Sequence, residues 1–329
     1  MTSSPPLVLD DPATADRRRS PLGRELAILA AVAACLFLMP YVVDDYALQV
    51  GYLILQLAAL ATAWNLLAGY TGLVSLGSAA FVGIGTYTMA MLDERAAPVW
   101  FAIIAAGVVA AVFAAVVSPA MFRLRGLYFT IGTLALAEAL RMWMVNARTF
   151  NGAAGIYLTG RPPAFYQLYW LVLVAAIGAT AVVVVILRRP LALRLNAVRD
   201  DEDVAAEMGV RVFRAKLVAF AVSGSLMGII GAVQALNTRV VVPNGAFGLT
   251  WTVNIVLVAL IGGLGTRTGP WIGAVFAILL QESLRGYPEI HLAITGAVLL
   301  LVIRFAPSGI GGAMADGRRR LARVWRTRS

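Results

Sequence analysis

The chain consists of one lipid-length apolar segment after another, separated only by short polar breaks. A helix needs about 20 mostly apolar residues to cross a bilayer, and runs of that length follow each other from residue 25 to residue 306. Hydrophobic residues make up 60% of the 329 residues and charged residues 13%, which would leave a water-soluble globule without a polar surface. The sequence therefore predicts an all-α membrane protein, a polytopic bundle of about ten transmembrane helices.

The ten predicted spans are residues 25–43, 47–69, 75–92, 98–122, 127–146, 167–187, 216–237, 249–264, 269–285 and 290–306. Together they form a transmembrane domain at 25–306 that contains a long polar loop at 188–216. The flanking segments predict a disordered tail at 1–24 and a basic tail at 307–329.

The distribution of positive charge predicts the orientation of the spans. With both termini on one side, 21 of the 27 Lys and Arg residues fall on that side of the membrane. Such an excess marks the cytoplasmic side. We therefore expect a multi-pass protein of a bacterial inner membrane, with both termini and the 188–216 loop in the cytoplasm.

Two glycine-rich interruptions separate neighbouring spans, one near residues 69–77 and one near 262–270. Glycine and proline at this density break helices, and broken helices in transporters often expose backbone groups to a substrate. Small residues also permit close helix packing, so both interpretations stay open. The candidate path residues are Asn65, Gly69, Thr71, Gly72, Gly77, Ser78, Gly262, Gly263 and Gly265.

The loop at 188–216 is the longest and most charged of the internal connections. Acidic residues followed by Gly209 predict a short helix from about Asp200 to Met208. The small side chains of Ala205 and Ala206 would let that helix enter a groove of another protein, flanked by Arg194 and Arg199 and carrying Asp203. An ordinary solvated loop with a helical turn fits the same pattern.

Two acids lie inside predicted spans, each three residues before an arginine: Glu138 with Arg141, and Glu282 with Arg285. Each pair can close on one helix face. Intramembrane acids also mark substrate and ion pathways, so structural pairing and a role in passage remain alternatives. A transporter driven by a proton or sodium gradient would need such an acid without a partner, and Glu138 is the nearest candidate.

Other kinds of site have weak support in the sequence. The glycines at 262–269 lack the lysine and preceding strand of a phosphate-binding loop. One histidine, His291, and one cysteine, Cys35, provide neither a metal cluster nor a catalytic pair. The net charge of +10 is spread between helices rather than gathered on one surface, which argues against nucleic acid as a partner.

Several stretches, in order along the chain, resemble the permease subunits of the branched-chain amino acid ABC importers, specifically the LivM-type subunit. They are residues 65–88, 124–129, 137–141, the loop through Gly209, 216–231, 261–270 and 304–310. The chain departs from the family pattern at Ser78, where histidine is common, and in the turn at 151–155. These departures affect the expected substrate more than the class, since similar permeases serve urea, other amino acids or amides.

The resemblance implies a transport subunit rather than an enzyme. The expected partners are a second permease, two cytoplasmic ATPase subunits that bind ATP and Mg, and a periplasmic binding protein that delivers branched-chain or other hydrophobic amino acids. No cofactor is expected on this chain. The helix that contains Ala205, Ala206 and Gly209 would be the coupling helix that docks on the ATPase.

Overall fold

A long central helix organises the bundle. The computed structural model describes residues 31, 34–147, 150–160, 162–284, 304 and 309. The described α-helices are α1 (Met39–Val42), α2 (Asp45–Thr71), α3 (Ser78–Glu94), α4 (Val99–Met121), α5 (Leu127–Asn146), α6 (Phe165–Arg188), α7 (Pro190–Asp200), α8 (Glu202–Glu207), α9 (Val212–Thr238), α10 (Pro243–Ala246), α11 (Leu249–Gly262) and α12 (Gly269–Ser283). Helix α2 contacts α6, α9, α11 and α12, and most of its residues are buried.

Small residues allow α3, α4 and α9 to approach closely. Helix α4 buries an alanine at every fourth position and turns its valines and isoleucines outward, as expected for a helix with one protein face and one lipid face. A Cβ on Gly85 of α3 would lie 2.0 Å from a backbone oxygen of α9, and one on Gly231 of α9 would lie 2.2 Å from a backbone oxygen of α3. Glycine is required at both positions because the two backbones touch.

The helices run alternately up and down. The end of the bundle at which α7 and α8 lie is called the loop end below. At the opposite end, strands β1 (Ile156–Tyr157) and β2 (Val240–Val241) pair antiparallel, with Ile156 opposite Val241. The guanidinium of Arg239 donates to the carbonyl oxygens of Leu158 and Gly160 and ties this small sheet to α9.

The membrane character is confirmed, whereas the count of ten spans is not. Five helical segments of the described residues are long and apolar enough to cross a membrane: Asp45–Thr71, Val99–Met121, Phe165–Arg188, Val212–Thr238 and Pro243–Gly262. Helices α3, α5 and α12 occupy the predicted spans at 75–92, 127–146 and 269–285 without meeting that criterion. Eight of the 19 residues of the predicted first span, and all residues of the last except 304, lie outside the described residues.

Candidate functional site

The break between α2 and α3 carries the chain back into the bundle. Helix α2 ends at Thr71, and Gly72 adopts the left-handed conformation with a φ of 73°. The indole N–H of Trp64 donates to the carbonyl oxygen of Ser75 at 2.8 Å. Trp64 lies seven residues before the end of α2, or about 10 Å along its axis. Helix α3, which starts at Ser78, therefore begins well inside the bundle rather than at the loop end.

Two threonines from neighbouring helices hold this start of α3. The hydroxyl of Thr133 on α5 accepts from the N–H of Leu76 at 3.1 Å. The hydroxyl of Thr252 on α11 accepts from the N–H of Ala79 and donates to the carbonyl oxygen of Leu76, both at 3.2 Å. The buried hydroxyl of Ser78 has no hydrogen-bond partner in the described part of the chain. The positive end of the α3 dipole thus lies between α5 and α11, within the depth of the bundle.

The break between α11 and α12 packs against the first break. The side-chain amide of Asn65 accepts from the N–H of Gly265 and donates to the carbonyl oxygen of Thr266, both at 2.8 Å. A Cβ on Gly69 would lie 2.5 Å from the nitrogen of Gly265. The two glycine-rich segments, 200 residues apart in sequence, therefore form one contact.

Arg199 of α7 completes this contact. Its Nη1 donates to the carbonyl oxygen of Gly69 at 2.6 Å. The same atom lies 3.0 Å from the place of a Cβ on Gly265, whose φ is +71°. Asn65, Gly69, Arg199, Gly265 and Thr266 are called the glycine junction below. Because the junction is closely packed, it supports the packing interpretation of these glycines, and a role for them in a substrate path stays a prediction.

The 188–216 segment contains two helices instead of the one that the sequence predicts. The predicted helix is confirmed as α8, which begins at Glu202 because the carboxylate of Asp201 accepts from two backbone N–H groups at 2.9 and 3.0 Å. Gly209 follows α8 with a φ of +83°. Helix α7 was not predicted. Its Leu195 and Val198 are buried, so α7 packs on the bundle rather than extending into solvent.

Two ion pairs fasten α8 to the bundle. The ammonium of Lys216 on α9 is 3% exposed and donates to the carboxylate of Glu202, which is 30% exposed. The guanidinium of Arg125, between α4 and α5, lies 3.1 Å from the carboxylate of Asp203, with both side chains mostly exposed. That carboxylate raises the pKa of Arg125 above its ordinary value. The start of α8 is thus linked to three membrane helices.

The surface of α8 away from the bundle is exposed and carries both apolar and acidic residues. Met208 is 79% exposed, and Val204 and Ala206 are exposed together with Asp203 and Glu207. Ala205, which the sequence analysis places on the docking side together with Ala206, is buried against the bundle. Successive residues of a helix point about 100° apart, so Ala205 faces the bundle while Ala206 is exposed. Docking of this helix on another protein stays a prediction.

The predicted pair of Glu138 and Arg141 forms on α5. Arg141 Nε donates to a carboxylate oxygen of Glu138 at 2.9 Å, and Nη1 donates to the side-chain oxygen of Asn244 on α10. Glu282 accepts a hydrogen bond from the hydroxyl of Tyr46, and its predicted partner Arg285 lies outside the described residues. The first of the two predicted intramembrane pairs is thus present in the structure, and the second stays a prediction.

The remaining predicted residues are placed as follows. Arg194 is exposed on α7, and Gly72 is exposed at the end of α2. Thr71, Gly77, Gly262 and Gly263 are buried. Sequence reasoning missed Lys216, Asn244 and the two threonines at the start of α3. Of these residues, only Lys216 could have been noticed in the sequence, because it is a cation at the start of an apolar run that follows an acidic loop.

Comparison with known proteins agrees with these features. Residues 46–303 match the family described as "Branched-chain amino acid transport system / permease component". The Escherichia coli high-affinity branched-chain amino acid transport system permease protein LivM is 24% identical, over 87% of this chain and 75% of that protein. No solved structure matches the chain significantly.

Two further relatives match shorter parts of the chain. A probable branched-chain amino acid transport permease protein LivM of Methanocaldococcus jannaschii is 23% identical, over 64% of this chain and 67% of that protein. The autoinducer 2 import system permease protein LsrC of Klebsiella pneumoniae is 27% identical, over 47% of this chain and 46% of that protein. Both relatives are named as transport permeases.

Proposed function

We propose, since this chain belongs to the family of branched-chain amino acid transport permeases, that it is the membrane-spanning subunit of an ATP-driven importer. Its substrate would be a branched-chain or other hydrophobic amino acid that a periplasmic binding protein delivers. A second permease would complete the pathway, and two ATPase subunits would bind ATP and Mg at the loop end. The loop end would then face the cytoplasm of a bacterial inner membrane, as the positive charges predict.

The observation that carries this proposal is the exposed surface of α8 in the 188–216 segment. This surface carries Met208, Val204 and Ala206 beside the acidic Asp203 and Glu207. Exposed apolar residues that lie together, as Val204 and Met208 do one turn apart, mark interaction sites. We infer that the ATPase subunits dock on this side of α8.

The inner side of the same segment leads to the helix breaks. Arg199 of α7 donates to the last turn of α2 at Gly69, next to the segment that leads to α3. Lys216 holds α8 to the start of α9. A displacement of α8 by a motor would therefore reach both α9 and the junction of the two breaks. This is the contact that a coupling element needs.

The source of energy can be tested by reconstitution. The chain is co-expressed with a candidate partner permease and ATPase subunits, and the assembly is purified. The assembly is then placed in vesicles that contain ATP, and the binding protein with its substrate is added outside. We expect leucine uptake that depends on ATP and ATPase subunits that co-purify with the chain. Uptake by the chain alone under a proton or sodium gradient would contradict the proposal. Competition by urea, amides and amino acids would then identify the substrate.

The docking role of α8 can be tested at Gly209. Its positive φ is strained for most side chains, although a Cβ there would meet nothing within 4 Å. Asparagine tolerates this conformation better than branched residues do. We expect Gly209→Val to uncouple ATP hydrolysis from uptake and Gly209→Asn, the matched control, to retain coupling. Full coupling in Gly209→Val would count against α8 as the docking element.

A further inference from the structure

The exposed face of α5 carries two opposite charges near the middle of a membrane-length helix. Glu138 lies about 17 Å from the first residue of α5 and about 12 Å from its last, at 1.5 Å of rise per residue. Its side chain is 54% exposed and that of Arg141 is 25% exposed. Ile131 and Met142, also exposed, extend the same face in both directions.

Lipid is a poor environment for this face. Charged side chains within membrane helices are costly in hydrocarbon, and nearly all of them face a protein interior or a water-filled cavity. In the described part of the chain the pair is left partly open, although α5 packs against α3 and α10. The open side therefore has to face polar matter at some stage of the working assembly.

The groups on this face have hydrogen-bonding capacity left over. A guanidinium has five N–H donors. In Arg141 three of them point at oxygens of Glu138 and Asn244, and another reaches only the sulfur of Met142 at 3.4 Å. The side-chain N–H groups of Asn244 have no acceptor among the described residues. Donors and a carboxylate thus lie side by side, partly unused.

We propose that Glu138, Arg141 and Asn244, called the α5 triad below, dock the head group of a zwitterionic amino acid during its passage. The substrate carboxylate would accept from Arg141 and Asn244, and the substrate ammonium would donate to Glu138. This inference rests on the proposed function, because it assigns a binding site for the same substrate.

Charge balance favours a zwitterion over a simple ion. The triad has no net charge, and an amino acid has none, so docking leaves every charge with an opposite charge beside it. Bidentate pairing of a guanidinium with a carboxylate is among the strongest polar contacts in proteins. A free anion or cation would instead leave one member of the triad without a counterion. The apolar residues around the triad suit a side chain without hydrogen-bonding groups.

Protection from alkylation tests docking directly. The assembled transporter is prepared with Cys35→Ser and Met142→Cys, which places a thiol on an exposed residue whose side chain contacts Arg141. At ten times its dissociation constant, leucine should slow alkylation about tenfold. Leucinol, which lacks the carboxylate, and 4-methylpentanoate, which lacks the ammonium, should not slow it. No effect of leucine, or an equal effect of either analogue, would overturn the proposal.

Uptake separates docking from simple structural pairing. In the same assembly, Glu138→Gln and Arg141→Gln should each lower leucine uptake about tenfold, since each removes a charge-assisted contact, while ATP hydrolysis stimulated by the binding protein persists. The exchanged pair, Glu138→Arg with Arg141→Glu, keeps an ion pair but moves the cation away from Asn244, and should remain defective. Normal uptake in the single variants, or its recovery in the exchanged pair, would refute the triad and leave the proposed function intact. A wild-type assembly that takes up no leucine would refute the proposed function instead.

Discussion

The buried ion pair between Lys216 and Glu202 leads to an asymmetric prediction. Lys216 is 3% exposed, whereas Glu202 keeps 30% of its side-chain surface in solvent. Removing one partner of a buried pair costs about 3–5 kcal/mol, chiefly because the other charge is left buried and unpaired. Glu202→Gln leaves the buried ammonium without a counterion, so we expect a loss of about 3 kcal/mol in the free energy of unfolding. Lys216→Met leaves a carboxylate that water still reaches, so we expect a loss of about 1 kcal/mol.

The measurement is equilibrium unfolding of the purified chain by SDS in mixed micelles, followed by tryptophan fluorescence. The double variant should lose less stability than the two single losses combined, because neither unpaired charge remains in it. The exposed pair of Arg125 and Asp203 is the matched control, and Asp203→Asn should leave the unfolding midpoint unchanged. Equal losses for the two single variants, or a larger loss for Lys216→Met, would refute the argument from burial.

Three further predictions concern packing, capping and hydrogen bonding. Gly85→Ala should prevent stable assembly of α3 with α9, because its Cβ would lie 2.0 Å from a backbone oxygen; Gly178→Ala, with nothing within 4 Å of its Cβ, should fold normally in the same size-exclusion assay. Asp201→Ala should cost about 1 kcal/mol of unfolding free energy by removing the cap of α8, and Asp201→Asn should cost far less. Gln56→Leu should cost about 0.6–1.7 kcal/mol in the SDS assay, since its amide donates to Gln234 at 2.6 Å on another membrane helix.

The helical pattern could be predicted where the sequence carries a local signal. The span predicted at 127–146 coincides with α5, and both glycine-rich interruptions separate helices in the structure. The glycine that ends α8 was also predicted, because a helix stop depends on residues within one turn. The cap at Asp201 was not predicted, since the helix was expected to begin at about Asp200 rather than at Glu202. Apolar length and local helix-ending residues suffice for such features.

Contacts between distant segments could not be predicted in this way. Asn65 and Gly265 are 200 residues apart, and the sequence around one residue does not indicate that it contacts the other. Helix α7 was missed because its eleven residues, three of them charged, are too few for a membrane span and it lies on the bundle rather than crossing it. The inward side of α8 was missed because six residues are too few to show which face is apolar.

The close contacts divide the described bundle into parts that respond differently to a push at α8. Helices α3 and α9 touch backbone to backbone at Gly85 and Gly231, so they move together unless that packing is lost. The glycine junction is also closely packed at Gly69 and Gly265, but it joins two short helix-breaking segments and is held by hydrogen bonds of Asn65 and Arg199. Helix α8 is fastened to the first part through Lys216, and the adjacent α7 to the second through Arg199. If a motor displaces the 188–216 segment, as proposed, we expect the packed helices to resist and the junction to yield, beside the extended segment that leads to the start of α3.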